Sequence, residues 1–313
     1  MGRAKRIPYG VSDFIDIIER NQYYVDKTMY IPKLEDEPDA LFFIRPRRFG
    51  KSLFISMLRA YYDIKRKDKF DKLFGNLWIG SHPTENQGKY QVLFLDFSKI
   101  GGSIDQLEEN FNAYCNECID SFIETYQEYY PERVVESVLK AKTAARKLNA
   151  IGIAAEKKNL PLYLIVDEYD NFTNVVLNEQ GEEVYTALTH ASGFYREIFK
   201  VFKGMFSKIF MTGVSPVTLD DLTSGFNIGW HISTKPAFNQ MLGFSTEDVR
   251  DLFTYYKENG EIRPDSDVEA IIEEMKPWYD NYCFSESALK TQSKVFNSDM
   301  VFYYLRNYRE TGE

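Results

Sequence analysis

Residues 40 to 52 read Ala40-Leu41-Phe42-Phe43-Ile44-Arg45-Pro46-Arg47-Arg48-Phe49-Gly50-Lys51-Ser52. The first five form a short continuous apolar run, which is typical of a strand buried on both faces. After the run and a glycine-bearing segment, apolar residues recur at helical spacing at Phe54, Met57, Leu58 and Tyr61. The segment therefore lies between a buried strand and an amphipathic helix.

Gly50-Lys51-Ser52 has the parts of a phosphate-binding loop. In such a loop, main-chain N–H groups and a helix N-terminus hold the polyphosphate, a lysine contacts the terminal phosphates, and a hydroxyl holds magnesium. The alternative is an ordinary helix start, because the tripeptide by itself occurs in many surface turns. The strand before it and the helix after it favour the phosphate loop.

The start of this loop departs from the usual pattern. Arg45 stands where that pattern has its first glycine, and its side chain disfavours positive φ. Pro46 fixes φ and removes one N–H donor. The loop must therefore begin with a different shape. The residues expected to contact a nucleotide are Arg45, Arg47, Arg48, Phe49, Gly50, Lys51, Ser52 and Leu53.

A second motif is the apolar run 162–166, which ends in Asp167 and Glu168. An aspartate at the carboxyl end of a parallel strand reaches the crevice where ligands bind. We expect Asp167 to hold Mg²⁺ together with Ser52, and Glu168 to accept a proton from the attacking water. Taken alone, the pair is equally well interpreted as a solvated strand end. Its position after a phosphate loop favours the catalytic interpretation.

Three further polar residues lie at or near strand ends. Thr212 ends the run 208–212, and we expect it to act in catalysis by sensing the γ-phosphate. The alternative is an ordinary residue of a strand-end turn. Asp96 ends another apolar run, and we expect Asp96 and Asp170 to orient the residues that contact the nucleotide.

Apolar runs alternate with helical stretches, which predicts an α/β fold with a mostly parallel sheet. The expected fold is a P-loop NTPase core with helices on both faces and a C-terminal helical lid. We expect residues 1–37 to form a helical and extended segment that packs on the core, with Ser12 capping its first helix. Residues 38–236 would form the core. Residues 237–313 would form the lid, cut before a further C-terminal domain.

Charge is distributed unevenly over the 313 residues, whose formal net charge is −9. Residues 1–72 hold 16 Lys and Arg against 11 Asp and Glu, so they carry +5 and the remainder carries −14. Such a basic third is typical either of a nucleic-acid face or of an ordinary solvated surface.

The pair Cys115 and Cys118 falls in a helical stretch without a second ligand pair, which disfavours zinc. Only three cysteines occur and no signal-peptide pattern lies near the N-terminus, so we expect a cytoplasmic protein. No apolar run approaches the ~20 residues that span a bilayer.

The chain also resembles the predicted AAA-ATPase-like family of bacteria. The resemblance rests on residues 7–14 (IPYGVSDF), 24–28 (YVDKT), 45–52 (RPRRFGKS) and 167–170 (DEYD). It extends through residues 212–215 (TGVS), 225–227 (GFN), 278–282 (WYDNY) and 295–297 (VFN). In that family the arginine-rich loop is the normal form, and members often continue into a nuclease-like domain of the restriction-endonuclease type. Asn281, where glycine is common, and the pair Asn171-Phe172 after the acidic motif are small departures from the family pattern.

Together these features predict binding of ATP and Mg²⁺ and Mg²⁺-dependent ATP hydrolysis. One alternative is a nucleotide-dependent switch with little hydrolysis, and another is a nucleic-acid-binding module. DNA or a protein partner would bind through the basic N-terminal third or a missing C-terminal domain, and a homo-oligomer is a further expectation. Arg47, Arg48 and Arg196 are the candidates for an arginine finger. We expect no nuclease activity, because Glu274 falls in a helical stretch.

Overall fold

The computed structural model describes residues 4–101, 106–171, 194–215, 229–279, 282–291 and 293–311, with the main chain alone for residues 194–197. Within these ranges parallel strands form one sheet in the order β2-β3-β4-β1-β5. The strands are β1 (Ala40–Ile44), β2 (Gln91–Asp96), β3 (Leu162–Asp167), β4 (Lys208–Gly213) and β5 (Trp230–His231). The predicted α/β class and parallel sheet are confirmed.

The strand order brings the loop after β1 close to the ends of β3 and β4. Ile44 pairs with Gly213 across β1 and β4, and Asp96 pairs with Asp167 across β2 and β3. Because the strands are parallel, their carboxyl ends meet at one edge, where ligands bind in open α/β sheets. The two predicted nucleotide motifs therefore share this edge, although β4 lies between β1 and β3.

Helices cover both faces of the sheet. In the described part of the chain, the helices that precede β5 are α1 (Phe14–Glu19), α2 (Tyr30–Glu35), α3 (Lys51–Tyr62), α4 (Phe70–Phe74), α5 (Leu107–Thr125), α6 (Glu132–Lys140), α7 (Ala144–Lys157) and α8 (Phe194–Met205). Side chains alternate along a strand, so Phe42 packs in one core cluster while Leu41 and Phe43 pack in another. The first cluster contains α5 to α8 and the second contains α1 to α4.

Some local features differ from the predictions. Oδ1 of Asp13 accepts the N–H of Asp16 at 3.0 Å, so Asp13 caps α1 and the prediction of Ser12 was wrong. Strand β5 was missed because its two residues are too short a run to show a strand pattern. Short 3-10 turns occupy Ile64–Lys69, Trp78–Gly80, Phe97–Lys99, Gln127–Tyr129 and Pro236–Phe238.

The C-terminal part is helical and has its own core cluster. Its helices are α9 (Thr246–Glu258), α10 (Val268–Tyr279), α11 (Glu286–Thr291) and α12 (Ser298–Thr311). Glu274 lies on α10, as its helical spacing predicted. Isolated antiparallel bridges join Phe244 to Phe296 and Tyr282 to Val295. Across the described ranges, no helix has both the length and the apolar character that crossing a membrane requires.

The N-terminal segment contacts both the core and the C-terminal helices. Phe14 packs in the core cluster of α3 and α4, whereas the ring of Tyr23 lies 5.0 Å from that of Tyr255 on α9. The Lys27 ammonium donates a 2.6 Å hydrogen bond to Oδ2 of Asp248. The N-terminal segment thus packs on the C-terminal helices as well as on the core. The division at residues 37 and 236 stays a prediction.

Candidate functional site

The predicted phosphate loop leads directly from β1 into α3. Gly50 precedes the first residue of α3 with φ of 87°, a conformation that residues with a Cβ rarely adopt. Lys51 and Ser52 are the first two residues of the helix. The Lys51 ammonium folds back and donates to the main-chain carbonyls of Arg45 at 2.9 Å and Pro46 at 3.0 Å. The positive head of Lys51 therefore lies within the turn of the loop.

Asp167 joins the two motifs. Its Oδ2 accepts a 2.7 Å hydrogen bond from the Ser52 hydroxyl, and its Oδ1 accepts one of 2.6 Å from the Thr212 hydroxyl. The N–H of Glu168 also donates to Oδ1, at 3.0 Å. The Asp167 side chain is buried, so these three donors stabilise a carboxylate that has little contact with water. The structure thus brings together Ser52, Asp167 and Thr212, as the sequence predicted.

Thr212 is buried, and its hydroxyl is hydrogen-bonded to Asp167. In this geometry Thr212 orients the carboxylate, and its contact with a γ-phosphate stays a prediction.

Glu168 lies at the mouth of the loop, with φ of 50°, in a region that non-glycine residues adopt infrequently. Burial raises the pKa of its carboxyl above the ordinary value, and the nearby charge of Asp167 raises it further. The positive charges of Lys51 and Arg47 act in the opposite direction. Burial also lowers the pKa of the Lys51 ammonium, whereas the carboxylates of Asp167 and Glu168 raise it. These charges are therefore close enough to influence one another.

The three arginines of the loop have different surroundings. Arg45 is 1% exposed, and its guanidinium donates to the carbonyls of Ile44, Ser233 and Phe238. It also packs against the rings of Phe43 and Phe284, whose centres lie 4.2 and 3.9 Å from the guanidinium carbon. The expectation that the Arg45 side chain contacts a nucleotide is therefore corrected, because this side chain belongs to the core.

Arg48 and Arg47 are both exposed. The Arg48 guanidinium lies 3.8 Å from a carboxylate oxygen of Asp299 on α12. Arg47 and Arg48 both line a cavity of about 380 Å³ together with Lys51, Ser52 and Glu168. Arg47 differs from Arg48 in its effect on Glu168, because the charge of Arg47 lowers the pKa of that carboxyl. The side chain of Arg196, another finger candidate, lies outside the described part of the chain.

Phe49 and Leu53 complete the predicted loop set. Phe49 is 1% exposed, and its ring meets that of Tyr282 edge to face at 4.8 Å between centres. It is a core residue, so only its main chain is available to a ligand. Leu53 lines both the 380 Å³ cavity and a smaller apolar cavity beside it.

Residues far from the two motifs also line these cavities. The 380 Å³ cavity is bordered by Pro8, Gly10, Val11 and Ser12 from the N-terminal segment and by Ser298, Asp299 and Phe302 from α12. The two nucleotide motifs did not predict that these residues would be part of the site. A signal was available, because residues 7–14 and 295–297 carry part of the family resemblance.

Asp170 and Asp96 shape the main chain beside the site. Oδ2 of Asp170 accepts the N–H groups of Val214, at 2.9 Å, and Ser215, so Asp170 holds the turn after β4. A Cβ on Gly213 would lie 2.5 Å from Oδ1 of Asp170, which requires glycine there. Oδ1 of Asp96 accepts the hydroxyl and the N–H of Ser98. Both aspartates therefore support main-chain turns.

Comparison with protein families connects this arrangement to known proteins. The family model described as "Predicted AAA-ATPase" matches residues 8–223, more than half of the chain. The chain belongs to this AAA-ATPase-like family. The matched range contains the phosphate loop and the motif at Asp167, so the predicted membership is confirmed. Residues 225–227 and 280, which carry part of the resemblance, and the departures Asn281 and Phe172 lie outside the described part of the structure.

Two individual proteins are similar to this family member. An "Uncharacterized protein in vnfD 5'region" of Azotobacter chroococcum mcd 1 is 25% identical over 303 residues, which cover 91% of this chain and 50% of that protein. The chain thus spans half the length of this relative. The solved structure of the Aeropyrum pernix ORC2 protein, as ADPNP-ADP complexes, is 11% identical with a TM-score of 0.36, covering 90% of this chain and 66% of that one. Because its identity and TM-score are this low, the ORC2 structure carries no argument about the function of this chain.

Proposed function

We propose that the chain binds ATP with Mg²⁺ at the loop after β1 and hydrolyses its terminal phosphate bond. The observation that carries this proposal is the 2.7 Å hydrogen bond between the hydroxyl of Ser52 and the carboxylate of Asp167. These residues are 115 positions apart, and each is the expected magnesium ligand of its motif. The hydrogen bond supports the proposal because two oxygens this close to each other could bind one ion.

Lys51 and the start of α3 would bind the phosphates. An ammonium held inside the loop is positioned to neutralise the β- and γ-phosphate oxygens, and the helix N-terminus adds a partial positive charge. The Lys51 hydrogen bonds to the carbonyls of Arg45 and Pro46 would be exchanged for stronger ones to charged phosphate oxygens. Burial of this lysine favours such an exchange, because an anion stabilises its charged form.

The residues at the end of β3 fit a magnesium ion. The hydroxyl of Ser52 and the carboxylate of Asp167 are hard oxygen ligands, and Mg²⁺ typically takes only one or two carboxylates together with phosphates and waters. When bound, the ion supplies positive charge to the phosphate oxygens. Thr212 would hold Asp167 in the orientation that this role requires, through its 2.6 Å hydrogen bond.

Glu168 and Arg47 would act on the reaction itself. Glu168 borders the cavity next to Lys51, and its carboxylate would take up the proton of the attacking water. Arg47 borders the same cavity and would stabilise the charge that develops on the transferred phosphate. The purine ring would lie in the same cavity, which Pro8, Leu53 and Phe302 also border.

The direct test is calorimetric titration with ATP and Mg²⁺, followed by measurement of steady-state turnover with and without DNA. Micromolar binding together with turnover supports the proposal, and the absence of nucleotide binding contradicts it.

Binding without turnover would support a nucleotide-dependent switch. That alternative is favoured by one observation: Gly243, just before the C-terminal helices, donates its N–H to the carbonyl of Phe49 within the loop, at 3.1 Å. ATP hydrolysis by the whole protein, and its binding of DNA or of a protein partner, are part of this proposal.

A further inference from the structure

The phosphate loop is held from outside by the C-terminal helical part. The carbonyl of Arg48 accepts a 3.1 Å hydrogen bond from the Ser298 hydroxyl and a 3.4 Å hydrogen bond from the N–H of Asp299. The carbonyl of the next residue, Phe49, accepts the N–H of Gly243 at 3.1 Å. Two consecutive peptide groups of the loop are thus bonded to segments about 195 and 250 residues further along the chain.

These bonds determine where the loop N–H groups point. In a trans peptide the C=O and the following N–H point in opposite directions. A carbonyl of Arg48 directed at Ser298 therefore turns the N–H of Phe49 away from α12. In the same way, the bond from Gly243 turns the N–H of Gly50 away from the C-terminal part. N–H groups of this kind are what a phosphate loop uses to bind its anion.

The main chain at Arg48 needs such support. Its φ is 69°, in the left-handed region that disfavours a residue with a Cβ. A strained conformation of this kind persists only where the surroundings hold it. Ser298 donates the shorter of the two hydrogen bonds that hold this carbonyl, 3.1 Å against 3.4 Å from the N–H of Asp299, and it is 8% exposed. The ion pair of Arg48 with Asp299 is long, and the arginine side chain is 69% exposed, so it contributes little.

We infer that Ser298 is a positioning residue for nucleotide binding, which acts through the carbonyl of Arg48 on the N–H groups of the loop. The inference rests on the proposed function, because it assumes that this loop binds phosphates. It makes nucleotide affinity dependent on the first residue of α12, at the far end of the chain from the loop. A Ser298→Ala variant would bind ATP and ADP about fivefold more weakly, the effect of losing one typical hydrogen bond. Both nucleotides would be affected alike, because both place a β-phosphate in the loop.

Matched variants separate positioning from folding. Ser287→Ala removes a hydroxyl from an exposed position of α11 and would leave both affinities unchanged. Arg48→Ala removes the arginine side chain but keeps a Cβ at positive φ, whereas Arg48→Gly also removes the strain. Adding Ser298→Ala would therefore weaken binding about fivefold in the alanine background and at most about twofold in the glycine background. This rescue by glycine is a result that a merely structural role of Ser298 would not produce.

Affinities are measured by titration calorimetry at 20 °C, well below the melting temperature, which is recorded for each variant. A lower melting temperature of Ser298→Ala with unchanged affinities would overturn the inference. Equal effects of Ser298→Ala in the two Arg48 backgrounds would overturn it as well. Should Lys51→Ala abolish binding while Ser298→Ala binds normally, the inference alone fails. A wild-type chain that binds no nucleotide would overturn the proposed function and this inference with it.

Discussion

The hydroxyl of Thr212 donates a 2.6 Å hydrogen bond to Oδ1 of Asp167, while the other carboxylate oxygen accepts the hydroxyl of Ser52. β4 and β3 are neighbours in the sheet, so the two side chains meet at its carboxyl edge. This contact suits Thr212 to hold the Asp167 carboxylate in place, in addition to the expected sensing of the γ-phosphate, which stays a prediction. It also leads to the first prediction.

Thr212→Val keeps the side-chain volume but removes the hydroxyl, so one buried oxygen of Asp167 loses a donor. Oδ1 then keeps only the N–H of Glu168, and a hydrogen bond to a charged group typically contributes about 1.5–3 kcal/mol. We expect the Mg²⁺ concentration for half-maximal turnover to rise about fivefold or more, because Asp167 is no longer held in position. Thr212→Ser retains the hydroxyl and is the control. An unchanged Mg²⁺ requirement in the valine variant would contradict this role.

Lys51→Ala should remove most nucleotide binding while the fold is retained. The reason is that the ammonium lies inside the loop and no other loop lysine is available in the stretch 45–52. Titration calorimetry with ATP measures the effect, and circular dichroism checks the fold. Lys89→Ala changes an exposed lysine elsewhere and should bind normally. Micromolar affinity in Lys51→Ala would show that the loop is not a phosphate-binding loop.

Glu168→Gln should bind ATP with near-normal affinity and hydrolyse it very slowly. A general base typically contributes about 10²- to 10⁴-fold, and glutamine cannot accept the proton. Single-turnover measurements with radiolabelled ATP give the rate. Glu156→Gln, at an exposed position of α7, is the matched control. A Glu168→Gln rate within about threefold of the wild-type rate would remove Glu168 as the base.

The pH dependence of turnover should reflect the surroundings of Glu168. Burial and the charge of Asp167 raise the pKa of its carboxyl, so the group loses its charge at a higher pH than an ordinary glutamate does. If the carboxylate is the base, turnover falls as the pH falls through this raised pKa. The positive charge of Arg47 lowers the same pKa. Arg47→Ala should therefore move the acid limb of the pH–rate profile to higher pH.

The comparison for this profile is Arg48→Ala, which removes a guanidinium that lies beside Asp299. Its acid limb should lie close to that of the wild-type chain. A profile of Arg47→Ala that coincides with that of Arg48→Ala would mean that Arg47 does not face Glu168 in solution.

Arg45→Met should strongly destabilise the fold. The guanidinium bonds three carbonyls, those of Ile44, Ser233 and Phe238, and methionine would leave them buried without a donor. We expect the free energy of unfolding to fall by about 3–5 kcal/mol, measured by urea denaturation. Arg20→Met, which changes a mostly exposed arginine on the C-terminal side of α1, should change it by about 0.5 kcal/mol or less. A similar small effect at Arg45 would contradict its assignment to the core.

Much of the core could be predicted because its signals are local. Buried parallel strands are continuous apolar runs, and β1, β3 and β4 could be located from residues 40–44, 162–167 and 208–212 alone. The membership of Lys51, Ser52 and Asp167 in one site also followed from local chemistry, since each motif has its own strand end. β5 was not predicted because a run of two residues shows no periodicity. The cap of α1 was assigned one residue too early because Ser12 and Asp13 are equally good caps.

The amino-acid sequence by itself determined the family, the α/β class and the residues of the two nucleotide motifs, because these depend on side-chain chemistry at short spacing. Only the tertiary structure decided where the three loop arginines lie: Arg45 enters the core, whereas Arg47 and Arg48 border the cavity and Arg48 also meets Asp299. It also decided that Ser298 holds the loop, through a hydrogen bond to a residue 250 positions away. The physical reason is that a carbonyl can accept a hydrogen bond from any donor that folding brings near it, so no local pattern identifies its partner.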